Sequence, residues 1–219
     1  MFFFIIIKHN SKRIKNKNFQ KINGLELWKY LILTLKKQKV FIDTDSPRII
    51  KDCKRLFPWV TVYLREKKFI KLESSMTASP TLLMIKNFLK KHVKKDDDII
   101  VTTHVTSPFI KLKTIQNAAK KLKKYDSVAA VTKDYNFAWL ENKKKELIPI
   151  NFNPKVITKT QNLNPIVQSN GAFFIFKKKT FIKYNNRIGK KPYYSEIDFP
   201  ESLEIDVNGD LKLARTVCK

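Results

Sequence analysis

Residues 2–7 read Phe-Phe-Phe-Ile-Ile-Ile, an unbroken apolar run that stops abruptly at Lys8. A run so short and so uniformly apolar is a strand covered on both faces, which belongs to a parallel sheet rather than to a half-exposed antiparallel one. The same signal recurs at Val40–Ile42, Val60–Leu64, Ile99–Thr103, Ser127–Val131 and Ala172–Phe176, with helical spacing between these runs. Helices are expected over Leu25–Lys37, from Ser46-Pro47 onward, from Ser79-Pro80 to Lys91, over Leu112–Lys123 and from Asp210 to Lys219. In both Ser-Pro pairs the serine is expected to cap and the proline to take the first helical position, where a missing N–H costs nothing. Strand alternating with helix predicts an α/β fold. The rhythm fails after Val131. Phe137–Leu140 and Leu147–Ile150 read as a hairpin around Asn142–Lys145, an antiparallel excursion from a mostly parallel sheet. Neither a repeat nor a linker interrupts the chain, so residues 1–219 are read as one domain.

The formal charge of +26 bears on partners. Only Arg13, Arg48, Arg55, Arg65, Arg187 and Arg215 are arginines; the remaining basic residues are lysines, in short runs such as Lys177-Lys178-Lys179 spread along the chain. Nucleic-acid binders concentrate charge on one face and read bases and phosphates with arginine. Scattered lysine fits a solvated surface better, and nucleic acid is not the expected partner. Cys53 and Cys218 stand far apart, without metal-ligand spacing, which suits a reducing, cytoplasmic compartment. Met1–Ile7 is too short to span a bilayer and has no basic leader or cleavage site, so neither a membrane partner nor a signal peptide is expected.

Ligands of an open parallel sheet sit beyond the carboxyl ends of its strands. The loop after the first strand, Lys8 to Asn18, combines backbone N–H groups with lysines and an arginine, a combination suited to a triphosphate. Asn10 is expected to supply the positive φ that glycine usually provides in such loops. Further along come Thr44-Asp45-Ser46, Arg65 behind the third strand, Thr106-Ser107-Pro108, the stretch Gln161 to Ala172, and Glu204-Ile205-Asp206 followed by Asp210-Leu211.

Taken in order, these stretches resemble the motifs of the acylneuraminate cytidylyltransferases, with Ser11, Lys12, Lys17, Asn18 and Gly24 on the positions of the family's first signature. The resemblance implies a Rossmann-like nucleotidyltransferase fold of the glycosyltransferase-A-like type and an enzyme that joins CTP to a nonulosonic-type sugar acid. It also implies a homodimer and Mg²⁺ as cofactor. Ser11, Lys12, Arg13, Lys17, Asn18 and Arg65 would bind the nucleotide. His104, Thr106, Ser107, Gln161, Asn170, Gly171 and Phe174 would bind the sugar. Glu204 and Asp206 would hold the metal, and Lys17 and Asp206 would take part in catalysis. This chain departs from the family at Lys8, where an arginine is usual, at Ile110 in place of a basic residue, and at Glu204 in place of an aspartate. Gln168-Ser169 replaces a basic-proline pair known in some members, so the sugar carboxylate is gripped differently. The alternatives are a nucleotide-binding relative with impaired chemistry, or a basic nucleic-acid-binding protein on the same fold.

Overall fold

A computed structural model describes residues 1–75 and 79–218. In chain order the elements are β1 (Phe2–Ile7), β2 (Lys21–Ile22), β3 (Leu25–Glu26), α1 (Leu27–Thr34), β4 (Lys39–Thr44), α2 (Pro47–Leu56), β5 (Val60–Leu64), α3 (Lys67–Ser75) and α4 (Thr81–His92). There follow β6 (Ile99–Thr102), α5 (Leu112–Ala119), β7 (Ser127–Asp134), β8 (Trp139–Glu141), β9 (Leu147–Pro149), β10 (Ile166–Lys177), α6 (Lys178–Tyr184), β11 (Pro192–Glu196) and α7 (Asn208–Val217).

Seven strands form the central sheet in the order β11-β7-β10-β6-β1-β4-β5. β1 pairs in parallel with both β4 and β6, β4 with β5, and β7 with β11, while β10 runs against both β6 and β7. The sheet is therefore mostly parallel, as the apolar runs predict, and β1 lies inside it with both faces covered. Phe3, Ile5 and Ile7 face Trp28, Leu31, Ile49 and Ile115 from α1, α2 and α5. Phe4 faces Phe69, Met84, Phe88 and Phe181 from α3, α4 and α6. This is the period-two alternation of a strand between two helical layers. Among the described residues no helix is long and apolar enough to cross a membrane.

Some boundaries differ from the sequence reading, each for a local reason. Leu25-Glu26 pairs with β2 before the first helix starts at Leu27. Ser46 caps α2 through a contact from the Ile49 N–H, with Pro47 in the first turn. The second Ser-Pro pair behaves differently: Ser79 Oγ bonds Thr81 Oγ1, Pro80 itself occupies the cap position, and α4 starts one residue later. The helix expected through Lys123 tightens into a 3₁₀ turn over Lys120–Lys123. Lys219, the expected end of the last helix, lies outside the described residues. α3, α6 and β11 are additional elements, and β10 extends six residues ahead of Ala172 because its polar start, Ile166–Ser169, pairs with β7.

A third, small apolar cluster joins two distant parts of the chain. Ile14 from the loop after β1 packs with Ile22, Leu27, Ile205, Leu211 and Ala214. It draws that loop against the segment 204–206, where Lys17 meets Ile205 across 188 residues of sequence.

Candidate active site

The carboxyl ends of β1, β4 and β6 open into a cleft of about 910 Å³. Its walls include Lys8, residues 10–13, Lys17, Asn18, Asp45, residues 102–106, Arg187, Glu204 and Asp206.

The loop from Lys8 to Asn18 is latched at both ends. The His9 N–H donates to Asp45 Oδ1 at 2.6 Å, His9 Nδ1 lies 2.8 Å from Ser46 Oγ, and Asn18 Nδ2 donates to the Lys8 carbonyl at 2.7 Å. The positive φ falls at Asn16 (53°), not at Asn10. The chain must reverse just before the 3₁₀ turn Lys17–Phe19, which carries the Lys17 side chain inward, and asparagine tolerates that left-handed backbone. Lys17 is largely buried; its Nζ donates to the Ile205 carbonyl and to Asp206 Oδ1, each at 2.9 Å. Arg13 Nη2 donates to the same Oδ1 at 2.7 Å. Two cations thus converge on one oxygen, and among the described residues Asp206 Oδ2 has no donor. The turn after Asp206 is capped by Asp210, which accepts from the N–H groups of Asp206 and Val207 at 2.8 Å each. The Asp206 side chain is therefore not needed as a cap.

Glu204 lines the same cleft. Its carboxylate accepts from Thr106 Oγ1 and from the Gly171 N–H, both at 3.3 Å, and lies 3.7 Å from His104 Nδ1. The His104 ring beside it holds the carboxyl below its ordinary value, against the opposing pull of burial. A Cβ on Gly171 would meet Glu204 Oε1 at 2.6 Å and His104 Nδ1 at 2.8 Å, so a larger residue there would displace these two side chains. Gly171 sits in the irregular stretch of β10 between Ser169 and Phe174, where the register against β7 shifts. Asn170 holds that stretch by donating to the Ser202 carbonyl and accepting from the Ala172 N–H.

Of the residues singled out from sequence, Ser11, Lys12, Arg13, Lys17, Asn18, His104, Thr106, Glu204 and Asp206 line this one cleft. Ser107, Asn170 and Gly171 stand behind its wall; Ser107 is fully buried and its Oγ has no partner among the described residues. Phe174 is buried beneath the guanidinium of Arg187, 3.9 Å from the ring centre. Two residues are placed elsewhere. Arg65, expected to reach a nucleotide, is buried and fully spent: it donates to Asp43 Oδ1 (2.7 Å), Glu73 Oε2 (3.0 Å) and the carbonyls of Ile7 and Asp43 (3.1 and 3.2 Å). It ties together the strand ends beneath the cleft. Gln161 is exposed on a 3₁₀ turn, Thr160–Asn162, outside the lining. Lys8 pairs with Glu73 at 3.2 Å, and Ile110 is a core residue beside Lys111, which pairs with Glu201. Arg187 escaped the sequence reading because nothing in the loop Asn185-Asn186-Arg187 marks it, and only the fold carries that loop to the cleft.

The sequence model of a family described as "Cytidylyltransferase" matches residues 3–219. The chain is 30% identical over 220 residues to N-acylneuraminate cytidylyltransferase A of Danio rerio, covering 96% of this chain and 49% of that protein. It thus spans about half the length of that relative. It is 22% identical over 233 residues to the Post-translational flagellin modification protein B of Campylobacter coli, covering 98% of this chain and 93% of that one. Among solved structures, a CMP:2-keto-3-deoxy-manno-octonic acid synthetase complexed with CTP superposes with a TM-score of 0.66 at 12% identity, covering 99% of this chain and 97% of that one. At that identity the likeness speaks for the fold.

Proposed function

This chain belongs to the cytidylyltransferase family, matched over residues 3–219, and from that premise we propose that it transfers the cytidylyl group of CTP to a nonulosonic-type 2-keto-3-deoxy sugar acid, releasing pyrophosphate. One observation carries the reading: a buried lysine and an arginine converge on Asp206 at the mouth of β1, in the same cleft as Glu204. In this reading Ser11, Lys12, Arg13, Lys17 and Asn18 bind the nucleotide phosphates and ribose. His104 and Thr106 face the sugar, with Asn170 and Gly171 holding the wall behind them. The anomeric hydroxyl of the sugar attacks the α-phosphorus in line; a P–O bond forms to the sugar oxygen as the bond to the β-phosphate oxygen breaks. The hydroxyl proton passes to Asp206. Lys17 and Arg13 neutralise charge that develops on the leaving pyrophosphate.

Mg²⁺ is part of the proposal. Among the described residues no cluster of three or more acidic, histidine or cysteine ligands forms, which fits a cation usually held by one or two carboxylates together with substrate phosphates. Glu204 and Asp206 offer two oxygen-donor groups on one cleft, one of them with Oδ2 free of protein donors among the described residues. When bound there, Mg²⁺ would supply Lewis-acid neutralisation of phosphate charge. The protein is further proposed to act as a homodimer, through the apolar excursion between β7 and β10. With two free cysteines it suits a reducing, cytoplasmic setting.

The test is pyrophosphate release from CTP, Mg²⁺ and a panel of 2-keto-3-deoxy sugar acids. Release should require both substrates, favour CTP over ATP and GTP by about tenfold or more, and stop on chelation of the metal. Asp206→Asn should lower turnover by about 10²-fold or more with little change in melting temperature, because Asp210 caps the turn. Equal use of all nucleotides, or no release with any acid, would overturn the reading.

A further inference from the structure

The cleft is also lined by residues that the nucleotide reading leaves unused. Phe4, Ser79, Thr81, Thr102 and Arg187 are among them. Arg187 differs from the other five arginines of the chain. Arg13 bonds Asp206, Arg48 pairs with Glu26, Arg55 with Asp52, Arg65 with Asp43 and Glu73, and Arg215 with the Lys21 carbonyl. Arg187 has no hydrogen bond or ion pair among the described residues, and its Nη1 is buried without a partner. The guanidinium is held over Phe174, 3.9 Å from the ring centre. Phe174 in turn lies directly across the strand pair from Thr102, whose Oγ1 is a second buried atom without a partner among the described residues. Two unsatisfied polar groups therefore lie on neighbouring parts of one cleft.

A buried donor without an acceptor is costly, and more so when it is charged. Burial pushes the Arg187 guanidinium down to about 10, which still leaves it a cation at neutral pH. An unpaired, pre-oriented guanidinium beside a hydroxyl is complementary to a planar anion, which it can grip through two parallel N–H···O bonds. The triphosphate has its own cations in the loop from Lys8 to Asn18. The remaining anion of the reaction is the carboxylate of the sugar acid.

We propose that Arg187, braced on Phe174 beside Thr102, anchors the carboxylate of the sugar acid and thereby selects acids over neutral sugars. The assignment rests on the cytidylyltransferase reading, and the experiment separates the two. Calorimetry would measure CTP, N-acetylneuraminate, 3-deoxy-manno-octulosonate and the C1 amide of each acid, against wild type, Arg187→Lys and Arg187→Met. Wild type should bind at least one acid about tenfold or more tighter than its amide. Arg187→Met should bind acid and amide alike while its CTP affinity stays within twofold, and Arg187→Lys should restore part of the difference. In steady state the same variants should raise KM for the acid and leave KM for CTP unchanged. Acid and amide bound equally by wild type would overturn the anchor without need of a variant. So would an Arg187→Met protein that still discriminates them. Loss of CTP binding by wild type would instead bring down the functional reading on which the anchor rests.

Discussion

Glu204 sits where two residue-scale demands meet. Its carboxylate must be near the cleft, yet it is partly enclosed, so it is sustained by Thr106, Gly171 and His104. The net effect is a carboxyl held below its ordinary value by His104, with burial opposing. A carboxylate whose folded pKa is depressed stabilises the fold fully above its unfolded value, roughly 4.3, and loses that contribution as pH falls through the folded value. Glu204→Gln should therefore lower the melting temperature at pH 7, and the gap to wild type should narrow steadily below about pH 4. Thermal denaturation between pH 3 and 7 reads this directly. A gap independent of pH would mean that shape and not charge is what the Gly171 wall recognises. Arg65 illustrates the opposite outcome at this scale: a residue with the right type and position for phosphate binding, but consumed by Asp43 and Glu73.

At the scale of elements, the loop after β1 and the segment before α7 form one unit, because Ile14 and Ile205 share an apolar cluster. The excursion between β7 and β10 is the contrasting element. β8 and β9 are three residues each, too short to be independently stable in water. Phe137 and Trp139 pack edge-on against Phe152 at 4.8 and 5.0 Å, but Leu140 and Ile148, paired across the hairpin on one face, remain exposed. An exposed apolar pair of this kind suits an interaction site, and this is the basis of the proposed homodimer. Replacing Leu140 and Ile148 by serine should shift the protein toward monomer in sedimentation equilibrium while leaving the far-ultraviolet spectrum unchanged. Wild type that sediments as a monomer at all concentrations would refute the assignment.

For the whole molecule the dominant quantity is charge. With 45 basic against 19 acidic residues, even complete pairing of the carboxylates leaves 26 positive charges without an internal partner. Many pairs that do form lie at the surface, such as Lys177 and Lys179 with Asp97 or Lys91 and Lys68 with Glu66. A lysine-rich surface of this type attracts polyanions without reading them. Binding to duplex DNA should be weak, insensitive to sequence and reduced by about 10³-fold or more between 50 and 200 mM salt. Filter binding or fluorescence anisotropy across that range checks this. A sequence-selective complex that survives physiological salt would favour nucleic acid as a true partner.

Much of this protein was legible in one dimension, because some physical rules are local. Phe2–Ile7 had to be a strand covered on both faces, Ser46-Pro47 had to start a helix, and strands alternating with helices had to make a mostly parallel sheet. Lys17 and Asp206 were visible as motif residues. The tertiary structure alone decided which of these groups face one another and which remain available. It sent Asp206 to Lys17 and Arg13, leaving Asp210 to cap the turn, and it moved the positive φ from Asn10 to Asn16. It also spent Arg65 inside the fold and left Arg187 unpaired above Phe174 among the described residues. Residue type and spacing set what a side chain can do. Whether a charge is satisfied depends on neighbours brought close by packing, and packing partners far apart in the chain leave no mark on the local sequence.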